Sequence, residues 1–473
     1  MTVEQLHAEI ERRWKTHLEA TRKVLRIPSI SASGEGIQET ADTLETMLKE
    51  MGAKTRQYRA SRQSHPLVYG YLDTGAEHTV AVYGMYDVQP PGNLDEWETP
   101  PFGAAIVRKK PYGEILVNRG AYNSKASLVG TLLAVRTMVD KGEMPLNVHF
   151  LLEGEEESGG KSLPMFVTKN RSRLSDAEAG LWFDYCEDSK GEVDISLGFK
   201  GCVSFDLIAE GKARGGPGEG QVHSSVAVVL ESPVIRLIKA VSTLVDDNQD
   251  PAIDGIWDAV EEPSQEDLEL IEDLAKRFDR ASYLRECGAR RFKVEGTDEE
   301  VLRKYMFEPS VNVSGLLSGY TGEGYSTILP DRAVAKVDIR IVPNMTTEGT
   351  RKLVREHLDR RGFSDIKMTR YEDYPWSKIP FEADITQACI RALRYHGKDP
   401  RVWPMTAGSA PMYVFDQILG IPHCGTGLGF GGRAHAPNEF AVVSKMKDFE
   451  KSVITTILEY ADLSSSASGK RKG

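Results

Sequence analysis

Acidic side chains and histidines stand directly after several short apolar runs of this sequence. They fall in four clusters, namely MYDVQP (85–90), GAYNSKA (120–126), EGEEESG (153–159) with WFDYCED (182–188), and RAHAPNE (433–439). Carboxylate oxygens and imidazoles bind divalent cations, and a glutamate that is not a ligand can take a proton from the bound water. The residue types therefore indicate a metal-assisted hydrolase, provided that the fold brings the clusters together.

The elements around these clusters have the order strand, helix, strand. Two apolar runs, HTVAVYG (78–84) and LNVHFLLEG (146–154), flank SLVGTLLAVRTMVDKG (127–142), whose apolar residues recur with helical spacing. This order predicts a parallel α/β sheet, and the ligands of such sheets gather at the carboxyl ends of the strands. Asp87 and the acidic run 153–160 lie just beyond two of these ends.

The middle of the chain has a different pattern of predicted elements. Strand-like segments alternate there with a Gly-rich stretch, GKARGGPGEGQVHSS (211–225), and with charged helices. After about residue 380 the first pattern returns. We therefore predict a catalytic domain over 1–201 and 378–464, an inserted α+β unit over 202–377, and a disordered tail over 465–473.

Composition limits the classes of partner. The chain of 473 residues carries a net charge of −11 and has no long basic block, which argues against a nucleic-acid partner. No window approaches the roughly 18 uncharged apolar residues that a membrane-spanning helix needs. The five cysteines include no CxxC pair and suit reduced thiols. We expect a soluble, cytoplasmic protein.

The four clusters, the residue before the first and the segment between the first two contain a series of motif residues, which extends from Gly84 to Glu439. They are Gly84, Asp87, Val88, Gln89, Pro90, Trp97, Pro101, Phe102, Gly120, Ala121, Lys125, Glu153, Gly154, Glu156, Glu157, Gly159, Asp184, His435, Asn438 and Glu439. This order resembles that of the M20 aminoacylase/carboxypeptidase metallopeptidases, especially the carnosinase-like dipeptidases. The resemblance implies an α/β fold, in which a mixed-sheet catalytic domain with helices on both faces carries an inserted α+β lid.

The resemblance also implies a site for two metal ions in the catalytic domain. Glu156 matches the general base that activates the metal-bound water. Glu157, Asp184 and His435 match metal ligands, and Asp87 matches the carboxylate that orients the first histidine ligand.

Substrate contacts are implied for the lid and for the second part of the catalytic domain. His223 matches a histidine that reaches the oxyanion, often in the neighbouring subunit's site, which implies a homodimer through the lid. Arg340 and Ser409, with Gly408 beside it, match groups that hold the substrate's carboxylate. The implied substrate is a dipeptide or an N-acyl amino acid.

Two of the five metal ligands of the family are replaced. Met85 stands where the first histidine belongs, and Asn123 where the family has the aspartate that bridges both ions. Two dications about 3.5–4 Å apart repel strongly without a bridging anion, and a thioether is a poor ligand for a hard ion. The sequence therefore predicts one divalent cation, Zn or Mn, or none, with Met85 and Asn123 as substrate-binding residues instead.

The predicted function is hydrolysis of an amide or peptide-like C–N bond in a small carboxylate-bearing substrate. Glu156 is the predicted general base, and Lys125 is predicted to neutralise the carboxylate cluster or to polarise a carbonyl. Two alternatives stay open from the residues alone. One is metal-independent lyase or isomerase chemistry in the same cleft, and the other is a non-catalytic relative that binds a small ligand.

Overall fold

The computed structural model describes residues 1–371 and 373–471, with the helical backbone alone over 467–471. Its helices are α1 (Val3–Leu25), α2 (Ile37–Glu50), α3 (Lys125–Asp140), α4 (Ser162–Lys169), α5 (Pro233–Val241), α6 (Gln265–Arg277), α7 (Arg280–Glu286), α8 (Asp298–Phe307), α9 (Thr347–Arg360), α10 (Asp384–Tyr395) and α11 (Val443–Arg471). Its strands are β1 (Lys54–Tyr58), β2 (Leu67–Leu72), β3 (Thr79–Met85), β4 (Ala105–Lys109), β5 (Gly113–Val117), β6 (Asn147–Glu153), β7 (Ala177–Phe183), β8 (Asp194–Ser196), β9 (Gly198–Phe199), β10 (Gly201–Glu210), β11 (Val222–His223), β12 (Ser310–Ser318), β13 (Ile328–Leu329), β14 (Arg332–Ile341), β15 (Lys367–Met368), β16 (Ser377–Lys378), β17 (Arg401–Trp403), β18 (His423–Thr426), β19 (Gly431–Gly432) and β20 (Phe440–Val442).

The chain divides into two compact units. The first comprises Met1–Leu197, Ile379–Trp403 and the residues from Pro411 onward, and the second comprises Gly198–Lys378 and Pro404–Ala410. The segment Pro404–Ala410 thus belongs to the second unit, although the sequence assigned it to the catalytic domain. Backbone hydrogen bonds hold it there, because Thr406 donates to Gly198 O at 2.9 Å and accepts from Lys200 N at 3.0 Å.

The first unit is built on a mixed sheet, whose described strands have the order β1-β2-β6-β3-β7-β18-β8-β17. Strands β6, β3, β7 and β18 run parallel, whereas β1 and β2 are antiparallel to their neighbours. Strands β3 and β6 are buried along their whole length, as is typical of parallel strands covered on both faces. Their carboxyl ends meet at one edge, so the residues after Met85, Glu153 and Phe183 share one region.

Glycines allow close packing on both faces of this sheet. A Cβ at Gly84 would lie 2.6 Å from Leu128 Cδ1 of α3, and one at Gly180 would lie 2.6 Å from the ring of Phe415. Gly180 pairs with Ala81 of β3, which is three residues from Gly84 and therefore faces the opposite side. Helix α3 and Phe415 thus cover opposite faces.

The second unit has its own sheet and core. Its main described sheet has the order β12-β14-β10-β15. Alternate residues of β10 and β14 are buried and pack with residues of α5 and α9. This core includes Val203, Phe205 and Leu207 of β10, Ala335, Val337 and Ile339 of β14, Leu237 and Ala240 of α5, and Val354 and Leu358 of α9. The unit is therefore an α+β layer structure with an independent core.

The predicted fold class is confirmed, since the structure contains a mixed sheet with helices on both faces and a separate α+β unit. Helix α11 runs through Arg471 and so includes residues 465–471 of the tail for which disorder was predicted, whereas 472 and 473 lie outside the described residues. In the described part of the chain, we find no helix with the length and apolar character to cross a membrane.

Candidate active site

Four acidic residues of the first unit lie where its parallel strands end. Asp87 follows β3, Glu156 and Glu157 follow β6, and Asp184 follows β7. His435 lies in the loop between β19 and β20. The fold therefore delivers the predicted clusters to one edge of the sheet, as parallel topology requires.

Asp87 fixes the turn that carries the two glutamates. Its carboxylate oxygens accept hydrogen bonds from the backbone N–H groups of Glu156 at 3.1 Å and Glu157 at 3.0 Å, and its side chain is fully buried. These two hydrogen bonds position the turn.

Asn123, Glu157 and His435 form a closed triangle of polar contacts. Asn123 Nδ2 donates to Glu157 Oε1 at 2.8 Å and lies 2.8 Å from His435 Nε2, which lies 2.9 Å from the same Glu157 oxygen. The other Glu157 oxygen accepts a hydrogen bond from Gln89 Nε2 at 2.8 Å. Asn123 therefore links the two candidate ligands through its amide nitrogen, a group that cannot bind a cation.

Asp184 has a separate set of partners. Ser124 Oγ and Ser127 Oγ each donate a hydrogen bond of 2.7 Å to its carboxylate, and the backbone N–H of Tyr185 donates one of 2.8 Å. Ser124 stands where the family motif has a second aspartate. The Asp184 carboxylate therefore accepts three hydrogen bonds from groups that are not part of the Asn123–Glu157–His435 triangle.

A buried ion pair supports the loop that carries Asn123. Arg119 Nη1 donates to Glu439 Oε2 at 2.7 Å, and the two side chains are 1% and 0% exposed. Glu439 Oε1 also accepts from the backbone N–H groups of Gly120, Tyr122 and Asn123 at 2.9–3.1 Å. Glu439 therefore fixes the path of the loop.

Lys125 and Met85 are both buried beneath the cluster. Lys125 Nζ donates to Ile27 O at 2.5 Å and to Ser29 Oγ at 2.9 Å, and burial lowers its pKa to about 7. These bonds anchor the segment 27–29 and go to neither Glu156 nor a neighbouring carboxylate. Met85 is 3% exposed at the end of β3, where its thioether serves as a packing group.

Burial raises the pKa of the carboxyl groups in the cluster. The pKa of Glu156 rises to about 8, first because of burial and then because of the charges of Glu157 and Asp87. Burial likewise raises the pKa of Asp87 to about 7 and that of Asp184 to about 6. Acidic groups with pKa values near neutrality are suited to proton transfer.

Arg340 and Ser409 are in direct contact within the second unit. Arg340 Nη1 donates to Ser409 Oγ at 2.7 Å, and Ser409 Oγ donates to Lys200 O at 2.7 Å. Gly408 precedes Ser409, and a Cβ there would meet nothing within 4 Å. The structure therefore brings together a guanidinium, a hydroxyl and open backbone, a combination that suits a carboxylate.

His223 is exposed at the end of β11. Its Nδ1 accepts a hydrogen bond from Ser225 N at 3.1 Å, and Thr327 Oγ1 lies 3.2 Å from its Nε2. The imidazole is therefore held by its own unit in a defined orientation.

The two-ion centre that the M20 resemblance implies would have an imidazole at position 85 and a carboxylate at position 123. The chain has a buried thioether and a neutral amide at these positions. Over the described residues, no group of three or more His, Cys, Asp or Glu side chains is arranged to hold a metal ion. Glu157 and His435 are the candidate ligands that remain for one ion, since the Asn123 amide oxygen accepts a hydrogen bond from Ser124.

The mixed α/β sheet with acidic residues and a histidine at its carboxyl edge, and the separate α+β unit, are the features that the resemblance to the M20 metallopeptidases implies. The family model described as Peptidase family M20/M25/M40 matches residues 81–459. The chain therefore belongs to this peptidase family and is a hydrolase.

Similar proteins include dipeptidases and a carboxypeptidase. The Cys-Gly metallodipeptidase DUG1 of Candida albicans is 27% identical over 473 aligned positions, which cover 94% of both chains. The Beta-Ala-His dipeptidase of Homo sapiens is 29% identical over 284 positions, covering 59% of this chain and 53% of its own. The structure of the M20 family metallo-carboxypeptidase Sso-CP2 from Sulfolobus solfataricus superposes with a TM-score of 0.87 at 32% identity, covering 94% of this chain and 99% of that chain.

Several supporting residues were missed as site residues by the sequence analysis. Ser127 and Ser124 bind Asp184, Gln89 binds Glu157, and Glu439 binds the loop of Asn123. Gln89 and Glu439 lie inside the family motifs, so their place beside the candidate ligands was the available signal. Ser127 gave no such signal, because its role depends on where α3 begins.

Proposed function

We propose that the chain hydrolyses the C–N bond of a dipeptide or an N-acyl amino acid, with Glu156 as general base. The observation that carries this proposal is the turn that contains Glu156 and Glu157. The backbone N–H groups of both residues donate hydrogen bonds to the Asp87 carboxylate, which fixes the turn. This base and its support are retained although Met85 and Asn123 replace two metal ligands. The similarity to the Cys-Gly and Beta-Ala-His dipeptidases supports a dipeptide substrate.

The proposed reaction consumes one water. Glu156 takes a proton from that water while its oxygen adds to the carbonyl carbon of the substrate. The C–N bond then breaks, Glu156 returns the proton to the leaving nitrogen, and a carboxylic acid and an amine are formed. A carboxyl group with a raised pKa suits both transfers, and His223 has the proposed role of contacting the oxyanion.

Arg340→Ala is expected to raise KM for a dipeptide with a free carboxylate about 10- to 100-fold, since hydrogen bonds to charged groups contribute about 1.5–3 kcal/mol. Steady-state kinetics on Cys-Gly would measure this change. Arg332→Ala, which removes an exposed arginine of the same strand, is the matched control and should change KM little. An unchanged KM in Arg340→Ala, or an equal rise in the control, would contradict the role of Arg340.

We further propose that the site holds one divalent cation, Zn or Mn, or none. The support is chemical: Asn123 is neutral, Met85 offers a thioether, and Asp184 is bonded to Ser124 and Ser127. The carboxylates and the histidine that remain cannot offset the repulsion of two close dications. Catalysis is therefore proposed without a dinuclear centre.

The double variant Met85→His with Asn123→Asp is expected to bind two Zn ions per chain, because it adds an imidazole and a bridging carboxylate. The wild type should bind at most one under the same conditions. Elemental analysis after gel filtration would count the ions, with Met85→Leu/Asn123→Ser as the control that changes both positions without adding ligands. A folded double variant that gains no ion would contradict this explanation of the substitutions.

We also propose a homodimer through the second unit. Strand β12 is at the edge of its described sheet, and its residues Leu316 and Leu317 are 52% and 53% exposed. Val228 and Val229 add further exposed apolar area. Exposed apolar edge strands are ready to pair with another strand, so a second copy is the proposed partner.

Leu317→Asp is expected to convert this dimer into a monomer, because a charge on the edge strand opposes pairing. Light scattering coupled to size-exclusion chromatography would give the mass. Leu268→Asp places the same charge on an exposed apolar residue of α6 and should leave the dimer intact. A monomeric wild type would overturn the proposal.

The proposed compartment is the cytoplasm. All five cysteines are free thiols, which suits a reducing environment.

A further inference from the structure

A cavity of about 410 Å³ lies in the first unit, and none of the candidate active-site residues lines it. Three cationic side chains converge on it, those of Lys54, Arg56 and Arg173. Its aromatic lining comes from Tyr69, Tyr71 and His149. A volume of this size is within the range of small-molecule sites.

The register of three strands places these groups on one face of the sheet. Lys54 of β1 pairs with Tyr71 of β2, which pairs with His149 of β6. Arg56 of β1 pairs with Tyr69 of β2, and each lies two residues from the Lys54–Tyr71 pair. Paired residues point to the same side of a sheet, and so do residues two apart. Lys54, Arg56 and the aromatic rings therefore lie on one face of the sheet, and Arg173, which follows α4, lines the same cavity.

The aromatic part of the surface is fixed by hydrogen bonds. The rings of Tyr71 and His149 stack with centroids 4.6 Å apart. His149 Nδ1 lies 2.9 Å from Tyr69 Oη, and its Nε2 lies 2.8 Å from Asp176 Oδ1. Burial lowers the pKa of the His149 imidazole, and the contact with Asp176 opposes that shift. Because His149 is only 2% exposed, Tyr71 is the ring that offers a flat face to a ligand, and its stacking on His149 fixes its position.

Asp176 is the one acidic side chain among the described residues that line the cavity, so the three cations are only partly balanced there. Arg56 packs over Phe166 with its guanidinium 4.9 Å from the ring, and Arg173 lies 6.0 Å from the ring of Tyr69. Arg56 Nη2 donates to the neutral Asn170, while its Nε is buried and has no hydrogen-bond partner in the part of the chain that is described. Burial and the charge of Arg173 both lower the pKa of Arg56. An anion between the two guanidiniums would relieve this repulsion.

We propose that this cavity binds a phosphate monoester whose organic part is a flat ring, of the size of a mononucleotide. Lys54, Arg56 and Arg173 contribute three positive charges and Asp176 one negative charge, which leaves a local charge of about +2. A phosphate monoester carries about −1.5 to −2 at pH 7, so it matches this charge better than a monocarboxylate. Arginine forks suit its oxygens, and the ring of Tyr71, which stacks on the buried His149, suits the flat group.

Isothermal titration calorimetry on the full chain, with AMP as the probe, tests this proposal. AMP is expected to bind at least tenfold more tightly than adenosine, and its affinity should fall as salt is raised. Arg173→Ala is expected to weaken AMP binding about 10- to 100-fold. Arg171→Ala removes an exposed arginine two residues away that does not line the cavity, and it should bind AMP like the wild type.

Further outcomes separate this ligand class from others. Succinate binding as tightly as AMP would overturn the assignment to phosphate monoesters, because both ligands carry two charges. Failure of AMP to bind at millimolar concentration, or equal binding by Arg173→Ala and wild type, would overturn the site itself. Dipeptide hydrolysis by the same samples is a separate readout, since no residue of this cavity belongs to the candidate active site.

Discussion

Glu156→Gln is expected to lower kcat/KM for a dipeptide such as Cys-Gly by about 10²–10⁴-fold, the usual contribution of general acid–base catalysis. Glutamine has nearly the same shape as glutamate but cannot take a proton from water. The backbone N–H of residue 156 would still donate to Asp87, so the turn should keep its position. The loss should therefore appear in kcat rather than in KM.

Steady-state kinetics with a thermal melt of each sample would check this result. Glu35→Gln makes the same chemical change at an exposed residue of the same unit and should retain wild-type kcat. If Glu156→Gln kept kcat within tenfold of the wild type, Glu156 would not be the general base. In that case another group of the site would have to accept the proton from water.

Glu439→Ala is expected to lower the free energy of unfolding by about 3–5 kcal/mol, the usual cost of removing one partner from a buried ion pair. The variant would leave the buried guanidinium of Arg119 without its carboxylate. It would also remove the acceptor for the backbone N–H groups of Gly120, Tyr122 and Asn123. Glu439→Gln should cost less, because its amide oxygen can still accept from that loop.

Urea denaturation would measure these changes. Glu50→Ala breaks the pair of Glu50 with Arg136 in the same unit, where the side chains are 54% and 36% exposed. It should cost less than about 1 kcal/mol, as surface pairs do. Equal costs for Glu439→Ala and Glu50→Ala would show that the Arg119–Glu439 pair does not support the loop.

The sequence predicted the positions of Asp87, Glu156 and Asp184 because they follow apolar strands. In a parallel sheet the ends of neighbouring strands converge by geometry alone, so strand order was enough. The order of the motifs also predicted that His435 belongs to this site, although it lies more than 200 residues after Asp184 in the chain. These predictions depend on topology and on the retained motif residues rather than on side-chain detail.

Side-chain partners could not be predicted in the same way. Lys125 lies in a motif, yet its ammonium group reaches Ile27 and Ser29, which are almost 100 residues earlier. The bonds of Ser124 and Ser127 to Asp184 depend on the first turn of α3. Such contacts arise from three-dimensional packing, which no local pattern of residues encodes.

The metal content of the wild-type chain tests the central claim most directly. Purified protein would be equilibrated with excess Zn or Mn, freed of unbound ions by gel filtration, and measured by elemental analysis beside its dipeptidase activity. The proposed replacement of two metal ligands by Met85 and Asn123 predicts at most one ion per chain in active protein. Two tightly bound ions per chain, with activity lost when a chelator removes them, would contradict the account.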